Sequence, residues 1–142
     1  MNRKISVIFL LMAALALVIS GLGSCLSGKG IDNAHNSKNS LDWAGMYTGT
    51  TPAASGSGID VRLKLNKDQT YVMSYKYLDR SNTPVDWSGS FKWDDTGSII
   101  ILDKTDAPFQ YKVAENKLIQ LDMSGKQIKG KLADNYVLTK ER

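Results

Sequence analysis

IDVRLKLNKDQTYVMSYKYL, residues 59–78, decides the fold of this chain. Ile59, Val61, Leu63 and Leu65 alternate with Asp60, Arg62 and Lys64, which is the period of a strand with one buried face. NKDQ supplies a turn, and Tyr71, Met73, Tyr75 and Tyr77 share one face of the run that follows. Two alternating runs joined by a short turn predict an antiparallel hairpin.

The pattern repeats on both sides of this hairpin. VDWSGSFKW puts Trp87, Gly89, Phe91 and Trp93 on one face, DDTG turns, and SIIIL and FQYKV follow as short strands. AENK turns, LIQLDM is another strand, MSGK turns, YVLTK closes the chain, and DWAGMYTG stands at the front. No amphipathic helix pattern intervenes. The spacing predicts an all-β antiparallel meander of about eight strands over residues 42–142, closing into a small β-barrel so that no apolar edge is left exposed.

The segment before the barrel carries an address. Arg3 and Lys4 precede an uncharged run from Ile5 to Ile19, the layout of a secretory signal peptide. Fifteen helical residues reach only about 22 Å, short of the roughly 30 Å needed to span a bilayer. The only cysteine follows in GLGSCLSG. Leu22, Gly23, Ser24 and Cys25 resemble the bacterial lipoprotein signal, which implies cleavage before Cys25 and a diacylglycerol on its sulfur. The alternative is an unpaired thiol, an unusual feature of an exported chain. Two or more acyl chains anchor a protein stably where one does not. Residues 1–24 are therefore expected to be a signal peptide, and residues 25–41 a lipidated cysteine and a flexible Gly-, Ser- and Asn-rich tether. Leu26 resembles the outer-membrane sorting class where there are two membranes; with a single membrane the same signal implies the cell exterior.

Removing Arg3 and Lys4 with the signal leaves sixteen basic against fourteen acidic residues, so the basicity of the whole chain largely belongs to its leader. No basic stripe remains to suggest nucleic acid. With Cys25 lipidated, no thiol is left for a disulfide, and the fold must stand on its core.

Catalytic residues are scarce. His35, the only histidine, falls in the tether, so no Ser/His/Asp set can be assembled. Asp94, Asp95, Asp103 and Asp106 sit where turn chemistry explains them. Gly56 and Gly58 in TPAASGSGI precede no helix, which excludes a phosphate cradle. No enzyme activity and no cofactor are expected. Met46, Met73 and Met123 fall in separate segments, and thioethers are copper ligands only when gathered. The aromatic residues Tyr71, Tyr75, Trp87, Phe91 and Trp93 are the candidates for lining a small-ligand cavity, and filling the interior is their ordinary alternative role. A carrier needs about 300 Å³ or more.

DWAGMYTGTTPAASGSGIDVRLKLNKDQTYVMSYKYL and the later LDMSGKQIKGKLADNYVLTK resemble the amino-terminal domain of NlpE-type lipoproteins, from Asp42 to the end. The most specific parts are W-x-G-x-Y-x-G and the terminal Y-V-L-T-K. The resemblance implies a lipocalin-like barrel on a lipid anchor, with envelope roles in copper handling, stress signalling and surface sensing. Family members typically carry Cys-x-x-Cys in the loop after the first strand; here Ala53 and Gly56 stand there, so no metal ligand is expected. Many relatives add an oligonucleotide-fold domain, and this chain stops at Arg142. The expectation is a non-enzymatic envelope lipoprotein that binds a partner protein or small ligand. Carriage of a small apolar molecule and copper binding through Met or His35 are the alternatives.

Overall fold

Alternating side chains need a surface with an inside and an outside, and a closed sheet provides one. In the computed structural model, which describes residues 35–80 and 82–142, the described residues form eight antiparallel strands closed into a barrel. They are β1 (Gly45–Thr51), β2 (Ile59–Leu65), β3 (Thr70–Tyr77), β4 (Val85–Trp93), β5 (Ile99–Leu102), β6 (Gln110–Ala114), β7 (Lys117–Gln120) and β8 (Val137–Lys140). Each pairs with the next, and β8 pairs with β1.

The register follows the sequence alternation. Val61, Leu63 and Leu65 lie opposite Tyr75, Met73 and Tyr71, and Met73 in turn lies opposite Trp87. Tyr47, Leu63, Tyr71, Met73, Tyr111 and Leu118 are all fully buried in the interior. Tyr77 departs from its expected inward position: at the last residue of β3 it is 39% exposed, because the strand ends where the barrel does.

The connections divide the barrel into two unlike ends. At one end the links are tight. Asp68 Oδ1 accepts from the Thr70 N–H (3.0 Å) and hydroxyl (2.7 Å), Asp94 Oδ1 accepts from the N–H groups of Ser98 (3.0 Å) and Ile99 (2.9 Å), and Asn116 turns between β6 and β7 at φ +56°. These are the turns read in NKDQ, DDTG and AENK, built from Asp and Asn as side chain-to-backbone bonding requires. At the other end the links are the longer segments 52–58, 78–84, 103–109 and 121–136, the last with a 3₁₀ turn at Ala133–Asn135.

The tight end is also plugged. A one-turn helix, α1 (Ser37–Ser40), is capped by Asn36, whose side chain accepts from Asn39 N–H. Lys38 N–H donates to Gly97 O (3.0 Å) and Ser37 Oγ donates to Val113 O (2.7 Å). Leu41 and Trp43 pack on the core from the same side. Residues 36–41, expected to belong to a flexible tether, are thus fastened to the barrel. Asn36 and Ser37 turn their side chains to backbone groups, of Asn39 and Val113.

Candidate functional site

The five aromatic residues picked out as ligand-lining candidates are not gathered in one place. Phe91 and Trp93 join Trp43 at the plugged end, with Trp43 edge-on to both, ring centroids 5.7 and 5.5 Å away. Tyr71, the second residue of β3 after the tight β2–β3 turn, lies against Gly89, where a Cβ would approach its ring to 3.1 Å, and its hydroxyl donates to Asp103 O. Only Tyr75 and Trp87 reach the open end, where their rings meet edge to face at 5.7 Å and 89°. Between these groups the interior is occupied by packed side chains, among them Leu63, Met73 and Tyr111.

At the open end a pocket of about 250 Å³ opens between the ends of β2, β3, β4 and β7 and the 103–109 segment. Ile59, Tyr75, Trp87, Ala107, Pro108 and Gln120 are among its lining residues. It is smaller than the carrier reading requires, and lies at the mouth instead of inside the barrel. Two of its lining residues, Tyr75 and Gln120, each carry a polar atom sealed from solvent, Oη and Oε1, that makes no geometrically good hydrogen bond among the described residues. The Tyr111 hydroxyl gives its proton to Pro108 O (3.1 Å), and it is also the neighbour with which the Tyr75 hydroxyl interacts. Burial pushes Tyr75 up to about 12 and raises Tyr111 well above its usual range, so both phenols stay protonated at neutral pH. Gln120 was missed in the sequence. Its signal was present in LIQL: a glutamine in phase with Leu118 and therefore facing inward.

The loop between β1 and β2 carries the positions where the family places its cysteines. Ser57 donates its N–H and its hydroxyl to the Asp79 carboxylate, and Arg80 Nη2 donates to Ser55 Oγ. The two bonds from Ser57, backbone first, with the nearby Arg80 charge, hold the Asp79 carboxyl below its usual range. Gly56 sits at φ +102°, and a Cβ there would run into Asp79 Oδ2. The loop is therefore organised around a carboxylate and a left-handed glycine. Neither Ala53 nor Gly56 offers a donor atom, and among the described residues no three His, Cys, Asp or Glu side chains come together. Met73 is sealed in the core, Met123 is 75% exposed on the 121–136 segment, and Met46 lies near the plugged end. His35 is exposed just ahead of α1. The described residues do not fit a copper site. Cys25, the signal peptide and the tether up to residue 34 lie outside the described residues.

The remaining distinctive residues belong to the barrel's own construction. In W-x-G-x-Y-x-G, Tyr47 points inward and donates to Trp43 O (2.7 Å), while Gly45 makes room for the Lys140 side chain and Gly49 for Val137 O. Y-V-L-T-K supplies β8, the partner of β1.

A small antiparallel barrel, plugged where the chain enters and carrying its longer loops at the opposite mouth, belongs to the class of lipocalin-like barrels. Within that class the family is specific. The NlpE N-terminal domain model matches residues 47–131, and the chain belongs to this family of envelope lipoproteins. Lipoprotein NlpE of Escherichia coli strain K12 is 30% identical over 93 residues, 65% of this chain and 39% of the relative. The chain thus spans about two-fifths of that relative's length. A candidate lipoprotein from Shewanella oneidensis superposes with a TM-score of 0.69 at 40% identity, over 75% of this chain and 95% of that one. The crystal structure of Escherichia coli NlpE, a Cpx pathway activator, matches with a TM-score of 0.50 at 24% identity, over 61% of this chain and 46% of that one, a likeness of fold.

Proposed function

We propose that this chain is a non-enzymatic lipoprotein, anchored through Cys25, that presents the open end of its barrel to a partner protein in the cell envelope and so reports on envelope state. The observation that carries this reading is directional. The described chain enters the barrel beside α1, at the plugged end, and the four longer loops lie at the opposite end. Leu78, Val85, Met123 and Leu132 are exposed on or beside those loops, an apolar set of the kind that marks contact surfaces. Family membership supports the envelope; Leu26 supports the outer membrane where two membranes exist.

Photocrosslinking in cells tests it. A benzophenone amino acid at Leu132 should capture a discrete envelope protein, and the same probe at Glu115, on the tight β6–β7 turn, should not. Residues 26–142 exported behind a signal peptide that is cleaved without a lipidated cysteine should be released from membranes and lose the adduct. Equal capture from both positions, or unchanged membrane retention of that cysteine-free form, would refute the arrangement.

A further inference from the structure

Strand β4 is longer than the neighbour that covers it. Its nine residues pair with β3 as far as Val85, which lies opposite Tyr75, whereas β5 covers only Phe91, Lys92 and Trp93. Asp103, the residue after β5, ends that ladder: its N–H donates to Ser90 O (2.9 Å) and its carboxylate accepts from the Ser90 N–H (2.6 Å). Ser90 thus turns both backbone groups to the β5 side, while Phe91 N–H turns to the β3 side, where it donates to Gln69 O (2.9 Å). Antiparallel pairing alternates the two directions residue by residue, so Ser88 and Asp86 also point to the β5 side. No described residue takes their N–H or C=O groups there. Both residues are exposed, as is Val85 beyond them.

Backbone donors and acceptors repeated at strand spacing along an open edge fit one kind of guest, another extended backbone. The side chains of the edge select among such guests. Asp86 faces outward and makes no ion pair among the described residues, and a carboxylate there disfavours an acidic strand and favours a basic one. Trp87 lines the mouth pocket of about 250 Å³ together with Ala107 and Pro108 of the segment that leaves β5. A strand laid along β4 puts the residue opposite Trp87 on that same face.

We infer that the edge of β4 at residues 85–89 takes up an extended segment of a partner protein as an added antiparallel strand, with basic residues opposite Asp86 and Ser88 and an aliphatic residue, opposite Trp87, set into the mouth pocket. This inference rests on the partner reading for the source of the strand and names the chemistry of that source. The open edge itself is a property of the purified protein.

The test uses the full chain in micelles of an uncharged detergent, with amide exchange followed by NMR and the acetylated, amidated pentapeptide KVKVK as probe. Without peptide, the Asp86 and Ser88 amides should exchange about a hundredfold faster than those of Trp87 and Gly89, which bond β3. Peptide should protect them about tenfold, saturably, in the range of about 0.1–1 mM expected of so short a strand. N-methylation of the lysine amides, which face β4 in this register, should abolish the protection; N-methylation of the valine amides, which face away, should spare it. The peptide EVEVE should bind about tenfold more weakly, and Asp86→Lys should reverse that order.

Slow exchange at Asp86 and Ser88 in the dilute, peptide-free protein, or an equal effect of the two N-methylated peptides, would overturn the added strand. Protection that grows with protein concentration would assign the edge to a second copy of this chain and overturn the partner strand. Capture at Leu132 without peptide protection would leave the partner reading standing and remove the edge site; protection without capture would do the reverse.

Discussion

Tyr47 of β1 lies directly opposite Lys140 of β8, and with Thr48 opposite Thr139 this is where the sheet closes on itself. Seven pairs join β1 to β2, so the closing seam is short, and it is extended by Glu141 N–H donating to Met46 O at 2.8 Å. The two most specific stretches of the family resemblance are the two sides of this seam. Their residues build the barrel, which explains why so distinctive a motif holds no reactive group.

Gly49 gives the seam a test of sign. A methyl group there would sit 2.8 Å from Val137 O, a backbone atom with little freedom to move, although Gly49 has no left-handed φ that would itself demand glycine. Gly→Ala at an unstrained position normally stabilises slightly. Gly49→Ala is expected instead to destabilise by about 1–3 kcal/mol, read from the urea midpoint at unchanged m-value.

The plug should be worth a comparable amount. Trp43 packs on Phe91 and Trp93 and donates Nε1–H to Lys38 O (3.1 Å), joining α1 to the core. Trp43→Ala is expected to cost about 2–3 kcal/mol, below the full cost of a buried tryptophan because the ring is half-exposed. Amide exchange should quicken through residues 36–41 while β2 and β3 keep their protection.

The β1–β2 loop should resist conversion to a metal site. Installing the family's cysteine pair as Ala53→Cys with Gly56→Cys puts a side chain at φ +102° and against Asp79. The double variant is expected to lose about 1–3 kcal/mol. It should take up Cu(I) only as the loop loosens, so that metal binding and protease cleavage within 52–58 rise together. Asp79→Ala alone should raise exchange at the Ser57 amide about tenfold.

At high pH the buried tyrosines should bring the barrel down as a unit. Tyr47, by burial and then the Asp42 charge, and Tyr75, by burial, are pushed up to about 12 from the usual 10.0; burial raises Tyr71 and Tyr111 as well. The folded state therefore holds protons that the unfolded chain has released. Their contribution is fully present below pH 10 and is lost as pH rises from 10 towards 12. Phenolate absorbance and loss of near-ultraviolet circular dichroism should coincide in one cooperative step. A gradual phenolate titration with the dichroism intact would contradict the tight burial of these rings.

The strands were legible because each one is half-buried, so alternation writes itself into the residues, and the tight turns were legible because Asp and Asn bond their own backbone. Alternation also placed Tyr71, Tyr75, Trp87, Phe91 and Trp93 on inward faces. Depth along the barrel axis is a different quantity: it depends on register and on where each strand stops, and it separates Tyr75 and Trp87 at the mouth from Phe91 and Trp93 at the plug. Residues 36–41 looked like tether because their polarity was read as solvation, whereas the same polar atoms cap α1 and bond Gly97 and Val113.

By itself the sequence determined the class of fold, the order and faces of the strands, and the lone cysteine behind a signal-like segment, since these are periodicities and short-range chemistry. Only the tertiary structure decided that the chain enters at a closed end, that Ser57 and Asp79 organise the loop where the family places its cysteines, and that Gln120 and Tyr75 share one pocket. Those relations join residues tens of positions apart. They come into being when the sheet closes, because closure is what gives a set of strands two ends and an inside.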